Sequence, residues 1–342
     1  MRAACFVEPG KPMEVARVPD PSPGPGEVLL RVRGCGICGS DLHVTELPGA
    51  IRRGTVMGHE FAGEIVAVGR GATGPHGPWR EGDRVCAMPG ISCGTCLACL
   101  SGDVMGCASL RATGFGEIGG GYAEYAIAGE RMTFRLPDCV GSADGAMVEP
   151  LAVGLHAVDV AGLATGEDVL VVGAGPVGLA VAVWSKLLGA RRVVVSDPAD
   201  HRRALAARFG ATDGIDPNRE ELGPAFERAT GHAPRLAFEC VGRPGVVQSI
   251  AQIAARGAKI LTAGMCMAPD QYVPLVFGTK ELSLLFASYY RRQDYELTLA
   301  MLEAGRLDPL PMVTDRIALD ALPEAFERLR RPTTECKVIV QP

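Results

Sequence analysis

Glu167-Asp-Val-Leu-Val-Val172 running straight into Gly173-Ala-Gly175-Pro-Val-Gly178 is the stretch that decides the fold. Its first six residues are nearly continuous in apolar side chains, the pattern of a strand covered on both faces. Residues 176–188 then read as a helix with proline in its first turn and Gly189 at its end. Gly173, Gly175, Pro176, Val177 and Gly178 therefore form a loop whose backbone can approach a pyrophosphate seated on a helix N-terminus. A second strand, 192–196, ends in Asp197, about 20 residues after the last glycine, where an acid accepts hydrogen bonds from an adenosine ribose. A lone glycine pattern is weak evidence; strand, loop, helix, strand and acid in this order predict a dinucleotide site.

The same alternation continues outward. Strand-like runs at 212–215, 236–240 and 259–263 are separated by stretches compatible with helices at 202–209, 220–229 and 245–255, which predicts a doubly wound α/β domain over 151–285. Before residue 150 the texture changes to short strands, such as 27–32 and 64–68, with frequent glycine turns. After Ser283 come helical stretches at 295–303 and 319–329 and a last strand at 336–340. The simplest architecture is a β-rich domain built from 1–150 and 286–342, with the α/β domain inserted between its two parts.

The 342 residues include 44 glycines and 25 prolines, roughly a fifth of the chain, which excludes a coiled coil. With 47% hydrophobic and 21% charged residues there is ample material for cores, which excludes disorder. A net charge of −5 gives no reason to expect a nucleic-acid or membrane-surface partner. The N-terminus does not read as a signal peptide, and the longest apolar stretches, such as 177–184, fall short of the about 20 residues a membrane span needs. A cytoplasmic chain is expected. Its 12 cysteines are then reduced thiols, available to metals or catalysis.

Four of those cysteines, Cys93, Cys96, Cys99 and Cys107, follow the spacing C-x2-C-x2-C-x7-C. That spacing lets four thiolates converge on one tetrahedral ion, and a closed sulfur shell is the signature of structural zinc. An iron–sulfur cluster also takes four cysteines, but the bacterial ferredoxin ending x3-C-P is absent. A second constellation mixes ligand types: Cys35-Gly-Ile-Cys38-Gly-Ser40-Asp41-Leu-His43, then Gly58-His59-Glu60, and much later Glu149-Pro150. Thiolate, imidazole and carboxylate together are the donor set of zinc sites that keep a coordination position open. The other histidines and thiols take plainer readings. His156 is expected on a packed helix, and His76, His201 and His232 at the surface. Cys5, Cys86, Cys139, Cys240, Cys266 and Cys336 are read as core thiols, and Cys35 as near the metal without binding it.

With these residues in view, the chain resembles the zinc-dependent medium-chain dehydrogenase/reductases, the alcohol, polyol and threonine dehydrogenase superfamily, over nearly its whole length. The resemblance rests on Gly34-Cys-Gly-Ile-Cys38-Gly-Ser40-Asp41-Leu-His43, Gly58-His59-Glu60-Phe-Ala-Gly63-Glu64, the four-cysteine lobe at 93–107, Glu149-Pro150-Leu and the loop at 173–178. It implies a GroES-like catalytic domain, an NAD(P)-binding Rossmann domain, two zinc ions per subunit, a cleft between domains as active site, and a homodimer or homotetramer. By position Cys38 and His59 match catalytic zinc ligands, and Glu60 and Glu149 are the remaining candidates, with the choice between the two carboxylates open. Cys93, Cys96, Cys99 and Cys107 match the structural zinc.

The implied reaction is hydride transfer between an alcohol and the nicotinamide ring, with zinc lowering the pKa of the bound hydroxyl. Ser40 matches the family's proton-relay hydroxyl and His43 the next relay member, while Asp41 is expected to orient neighbouring groups. The alternative for Ser40 is a helix cap and for His43 a surface histidine. Asp197 would repel a 2′-phosphate, so NAD is favoured over NADP, although Arg202 and Arg203 lie close enough in sequence to offset the acid or simply to form a solvated face. Gly39 and the run Tyr289-Tyr290-Arg291 point in different directions within the superfamily, leaving secondary alcohols and ketones as the expected substrate class and polyol or threonine-type substrates as the alternative. Two rival classes are a zinc-free reductase of the same superfamily, which the ligand residues oppose, and a non-catalytic NAD-binding sensor, for which a relay and a ligand set would be surplus.

Overall fold

The computed structural model describes residues 1–342 apart from His76, Glu117 and Pro332, so the expected exposure of His76 falls outside the described residues. The chain divides into two compact units, one of Met1–Glu149 with Arg291–Pro342 and one of Pro150–Tyr290.

In the first unit the long strand β1 (Glu27–Gly36) is the spine, and its Val28, Leu30 and Val32 are buried at alternating positions. A short helix, α1 (Gly39–Val44), follows. Then β2 (Glu60–Val68) returns antiparallel along β1, β3 (Arg84–Ala87) pairs with β2, β4 (Tyr125–Gly129) with the first half of β1, and β5 (Thr133–Arg135) with β3. The expected strands 27–32 and 64–68 are thus longer in the structure. Gly34, Gly36 and Gly63 sit inside the ladder between β1 and β2. The segment ends in the first turn of a helix, α2 (Val148–Ala161), which from Pro150 onward belongs to the second unit.

The second unit is a six-stranded parallel sheet. In chain order it holds β6 (Asp168–Val172), α3 (Pro176–Leu187), β7 (Arg192–Ser196), α4 (Asp200–Arg208), β8 (Asp213–Ile215), α5 (Leu222–Thr230), β9 (Leu236–Glu239), α6 (Val246–Ile253), β10 (Lys259–Thr262), α7 (Pro274–Lys280) and β11 (Ser283–Phe286). The strand order is β8-β7-β6-β9-β10-β11, all parallel. Val169, Leu170 and Val171 of β6 and Val193, Val194 and Val195 of β7 have no exposure at all. Each such side chain contributes about 1.5–3 kcal/mol on burial, which is why continuous apolar runs settle as central strands. The order reverses between β6 and β9, and ligands of such sheets bind at that switch point, outside the carboxyl ends of the strands. Two elements were not foreseen, α7 and β11. Ser283-Leu-Leu-Phe286 lacks β-branched residues and is only half buried, so its composition hides an edge strand that carries the unit past residue 285.

The chain then re-enters the first unit with α8 (Arg292–Glu303), β12 (Val313–Ala318), α9 (Leu322–Leu329) and β13 (Lys337–Gln341). The end of β1 pairs with β13, Gly36 opposite Ile339 and Cys35 opposite Val340, and β12 lies parallel outside β13. The core joins Leu30 and Val32 of β1, Phe61 and Ile65 of β2, Val338 and Val340 of β13, and Leu322 and Phe326 of α9.

Candidate functional site

The site in the first unit is assembled where β1, α1, β2 and β13 meet. Cys38 closes the turn after β1, His59 immediately precedes β2 and Glu60 opens it, and the ligand atoms of these three residues all lie within 4.8 Å of one another. His59 and Glu60 are buried and Cys38 is half-buried. A soft thiolate, an imidazole and a carboxylate converging at this range fit a zinc ion with an open position.

The surrounding contacts hold these donors in place. Asp41, with no exposed surface, turns back from the first turn of α1, and one oxygen accepts the Cys38 amide N–H at 3.3 Å. Its other oxygen lies 3.1 Å from His59 Nδ1, and Tyr122 donates its hydroxyl to the first at 2.6 Å. A carboxylate on one ring nitrogen orients the imidazole and leaves the other nitrogen to a metal. Burial opposes a charged His59, but Asp41 and Cys38 outweigh it and raise its pKa well above the usual histidine range. Burial first, then the Asp41 charge, push the Tyr122 hydroxyl up as well, so it stays a donor. Glu60 is paired with Lys337, whose Nζ sits 2.6 and 2.7 Å from the two carboxylate oxygens.

Ser40 and His43 lie on α1 beside Cys38; Ser40 is half-buried and His43 exposed. Ser40 sits inside the helix, with Cys38 at the cap position. Arg330, after α9, closes the other end of α1 by donating to the Leu42 carbonyl at 2.8 Å, Thr45 Oγ1 at 2.8 Å and Glu46 at 2.9 Å. A cation at a helix C-terminus is favourable. Glu149 is buried in the first turn of α2, and its charge is felt by Lys337.

The four lobe cysteines also converge, their sulfurs all within 4.8 Å of one another. Cys96 Sγ lies 3.5 Å and Cys93 Sγ 3.9 Å from Cys99 Sγ, and the Cys93 amide points at Cys107 Sγ at 3.4 Å. Backbone N–H groups of Thr95 and Cys96 lower the Cys93 pKa to about 6, and the Cys99 backbone amide lowers that of Cys96, whereas burial and the neighbouring sulfur of Cys96 push Cys99 up to about 11. Apolar packing does little here: Leu97 is 84% and Leu100 73% exposed. Four sulfurs on a segment without a core of its own fit a closed zinc shell.

In the second unit Gly173, Gly175, Pro176, Val177 and Gly178 form the turn from β6 into α3, with Gly175 capping the helix and Pro176 in its first turn. A Cβ on Gly178 would overlap the Gly173 carbonyl oxygen, so only glycine lets the helix start this close to the strand. Asp197, at the end of β7, accepts the Ala174 amide at 2.9 Å and the Ala199 amide at 2.9 Å, one on each oxygen. A carboxylate has about four acceptor sites, so two remain for ribose hydroxyls. This arrangement fits a dinucleotide. Arg202 Nη1 stands 3.9 Å from Asp197, while Arg203 is taken up by the Asp197 carbonyl at 2.5 Å, by Asp200 and by Asp216.

Sequence reasoning missed Tyr122, Arg330 and Lys337. Lys337 alone left a signal, a cation at the start of the apolar run Val338-Ile-Val340, which must find a partner when buried. Two thiols read as core residues, Cys139 and Cys266, are exposed; the first follows β5 in a turn and the second lies in the loop after β10, outside any regular element. His156 is buried on α2, and His201 and His232 are exposed.

Residues 24–138 match the family model for the alcohol dehydrogenase GroES-like domain, and residues 176–304 the model for zinc-binding dehydrogenase. An L-threonine 3-dehydrogenase of Saccharopolyspora erythraea is 33% identical, over 96% of each chain. Among solved structures, a zinc-binding dehydrogenase from Sinorhizobium meliloti 1021 bound to NADP is 30% identical with a TM-score of 0.88, covering 100% of this chain and 99% of its own. The protein rspB from Escherichia coli CFT073, described as a short chain alcohol dehydrogenase and complexed with NADH, is 27% identical with a TM-score of 0.89, at the same coverage. Similarity over the full length, on top of two zinc-type donor clusters and a dinucleotide loop, assigns the chain to the zinc-dependent medium-chain dehydrogenase/reductase family, oxidoreductases that act on CH–OH groups with NAD(P).

Proposed function

We propose that this enzyme interconverts a secondary alcohol and its ketone with NAD, using zinc held by Cys38 and His59, with Glu60 and Glu149 as the carboxylates available to the same ion. The observation that carries this reading is the convergence of Cys38, His59 and Glu60 within 4.8 Å, with His59 oriented by Asp41. When bound, zinc supplies Lewis acidity that acidifies a hydroxyl and polarises a carbonyl. Cys38 and His59 anchor it, and Asp41 keeps the imidazole in one tautomer. The Ser40 hydroxyl takes the substrate proton and exposed His43 hands it to solvent. The 173–178 loop and the N-terminus of α3 bind the pyrophosphate, and Asp197 binds the ribose. Arg202, near Asp197 and without a hydrogen bond to it, is the residue that could admit a 2′-phosphate. Cys93, Cys96, Cys99 and Cys107 hold a second, structural zinc.

The identity to an L-threonine 3-dehydrogenase favours a second reading, in which the secondary hydroxyl belongs to an amino alcohol or polyol. Among the described residues no helix is long and apolar enough to cross a membrane, and all 12 cysteines are free, which supports a cytoplasmic setting. Exposed Phe286 lies on the open edge strand β11, and exposed Val273, Leu275 and Tyr289 lie close to it in sequence, which supports a homodimer or homotetramer.

A panel of secondary alcohols, polyols and threonine, offered with NAD or NADP and followed by the absorbance of the reduced cofactor, tests the proposal. Turnover of secondary alcohols with NAD is expected. Turnover confined to threonine or polyols would select the second reading, and none with any CH–OH donor would refute both.

A further inference from the structure

Lys337 is among the most deeply buried charged residues of the chain, with a side chain only 1% exposed, and all of its donors are used. An ammonium group has three N–H bonds. Those of Lys337 go to the two oxygens of Glu60, at 2.6 and 2.7 Å, and to the carbonyl of Ile37 at 3.1 Å. The backbone explains the meeting. Gly36 of β1 faces Glu60 on one side and Ile339 of β13 on the other, and the Ile37 amide donates to Val338. A Cβ on Gly36 would overlap Glu60 Oε2, so the missing side chain is what lets the carboxylate lie across β1 toward β13. Glu60 is therefore near the ligand atoms of Cys38 and His59 and at the same time tied by both oxygens to a fixed cation.

We propose that Lys337 is a positioning residue that holds Glu60 back from the ion bound by Cys38 and His59, so that Glu60 serves as a reserve ligand and not a permanent one. This rests on the reading of Cys38 and His59 as zinc ligands. An ion that drew Glu60 in would have to break two charge-assisted hydrogen bonds where no water can replace them. With the ammonium removed, a carboxylate that has no exposed surface keeps its charge only by finding another cation, and the bound ion is the one within reach. Removing Lys337 should therefore tighten the metal site, the opposite of what loss of a merely structural contact would do.

The test measures zinc release from the full chain to a chelating indicator, in wild type, Lys337→Met, Lys337→Arg and the double variant Lys337→Met/Glu60→Gln. The four-cysteine lobe supplies an internal reference phase. Lys337→Met is expected to slow release from the Cys38 site at least tenfold with the lobe phase unchanged. Lys337→Arg should restore the wild-type rate, and the double variant should abolish the slowing. With cobalt(II) in the site, the Lys337→Met protein should show weaker visible absorption, as an added oxygen ligand raises the coordination number. A Lys337→Met protein that folds only with zinc supports the proposal, because the ion then replaces the ammonium. Unchanged or faster release, or failure to fold even in excess zinc, overturns it. If Cys38→Ser still holds both ions, the zinc-ligand reading itself has failed; if it loses one and Lys337→Met changes nothing, only the role of Lys337 has.

Discussion

His59 Nδ1 stands 3.1 Å from Asp41 Oδ1, and the other oxygen of that carboxylate takes the Tyr122 hydroxyl at 2.6 Å. All three side chains are buried, so the tautomer and orientation of His59 are set by a chain of groups that begins on the far side of Asp41. Partners of this kind around a ligating histidine are commonly worth about 10- to 100-fold in metal affinity or activity. Asp41→Asn should cost that much in zinc retention against a chelator, measured alongside kcat/KM. Tyr122→Phe should act the same way but more weakly, because Asp41 keeps its bonds to His59 and Cys38. Wild-type zinc retention in Asp41→Asn would show that the orientation of His59 does not depend on this carboxylate.

The cysteine lobe should depend on metal for its order. With Leu97 and Leu100 exposed, little apolar burial remains to replace the ion. Cys107→Ser is expected to lower zinc content by one ion per chain and to speed amide hydrogen exchange over residues 93–107. Exchange in the six-stranded sheet should stay as in wild type. A lobe equally protected without its ion would contradict the structural-zinc reading.

Cofactor binding is predicted to be sensitive at two points of the second unit. Gly178→Ala pushes a methyl into the Gly173 carbonyl and should raise the Kd for NAD at least tenfold with little effect on zinc. Asp197→Ala leaves the Ala174 and Ala199 amides without their acceptor, a loss of about 1–3 kcal/mol. It should also narrow the preference for NAD over NADP, since the repelling charge has gone while Arg202 remains. Titration of both variants with each cofactor checks this, and an unchanged NAD/NADP ratio in Asp197→Ala would remove Asp197 as the discriminator.

How much of this could be read from the residues depended on the kind of signal. The second unit was legible because β6 and β7 are continuous apolar runs and the glycine loop sits between strand and helix in register. The two converging donor clusters were legible because residues of ligating types recur there at short spacing, as in the cysteines of 93–107. The supporting contacts were not. Tyr122 meets Asp41, Arg330 meets α1 and Lys337 meets Glu60 across sequence separations of 81, 288 and 277 residues at their recorded contacts, and nothing local marks such pairs. Strand β11 was missed for another reason, its propensity being overridden by the sheet edge it completes.

Acid should weaken the second unit through Asp168. Burial alone would raise its pKa, but the Arg191 hydrogen bonds and charge, with His232 at 3.0 Å, hold it below the usual carboxylate range. A lowered folded-state pKa contributes stability that is complete above about pH 5 and is lost as pH falls through the folded value. Asp168→Asn should therefore be less stable than wild type at neutral pH, by about 1–3 kcal/mol, and the gap should shrink in acid. Thermal melts from neutral to acidic pH report it; a gap constant with pH would deny Asp168 this role.

The central claim is that hydride transfer depends on an ion anchored by Cys38. The direct measurement is kcat/KM of Cys38→Ser for a secondary alcohol that wild type oxidises with NAD, followed by NADH absorbance on protein whose lobe zinc and fold are intact. Lewis-acid assistance is worth several kcal/mol, so a fall of at least about a hundredfold is predicted. A Cys38→Ser protein that forms NADH as fast as wild type would contradict the account.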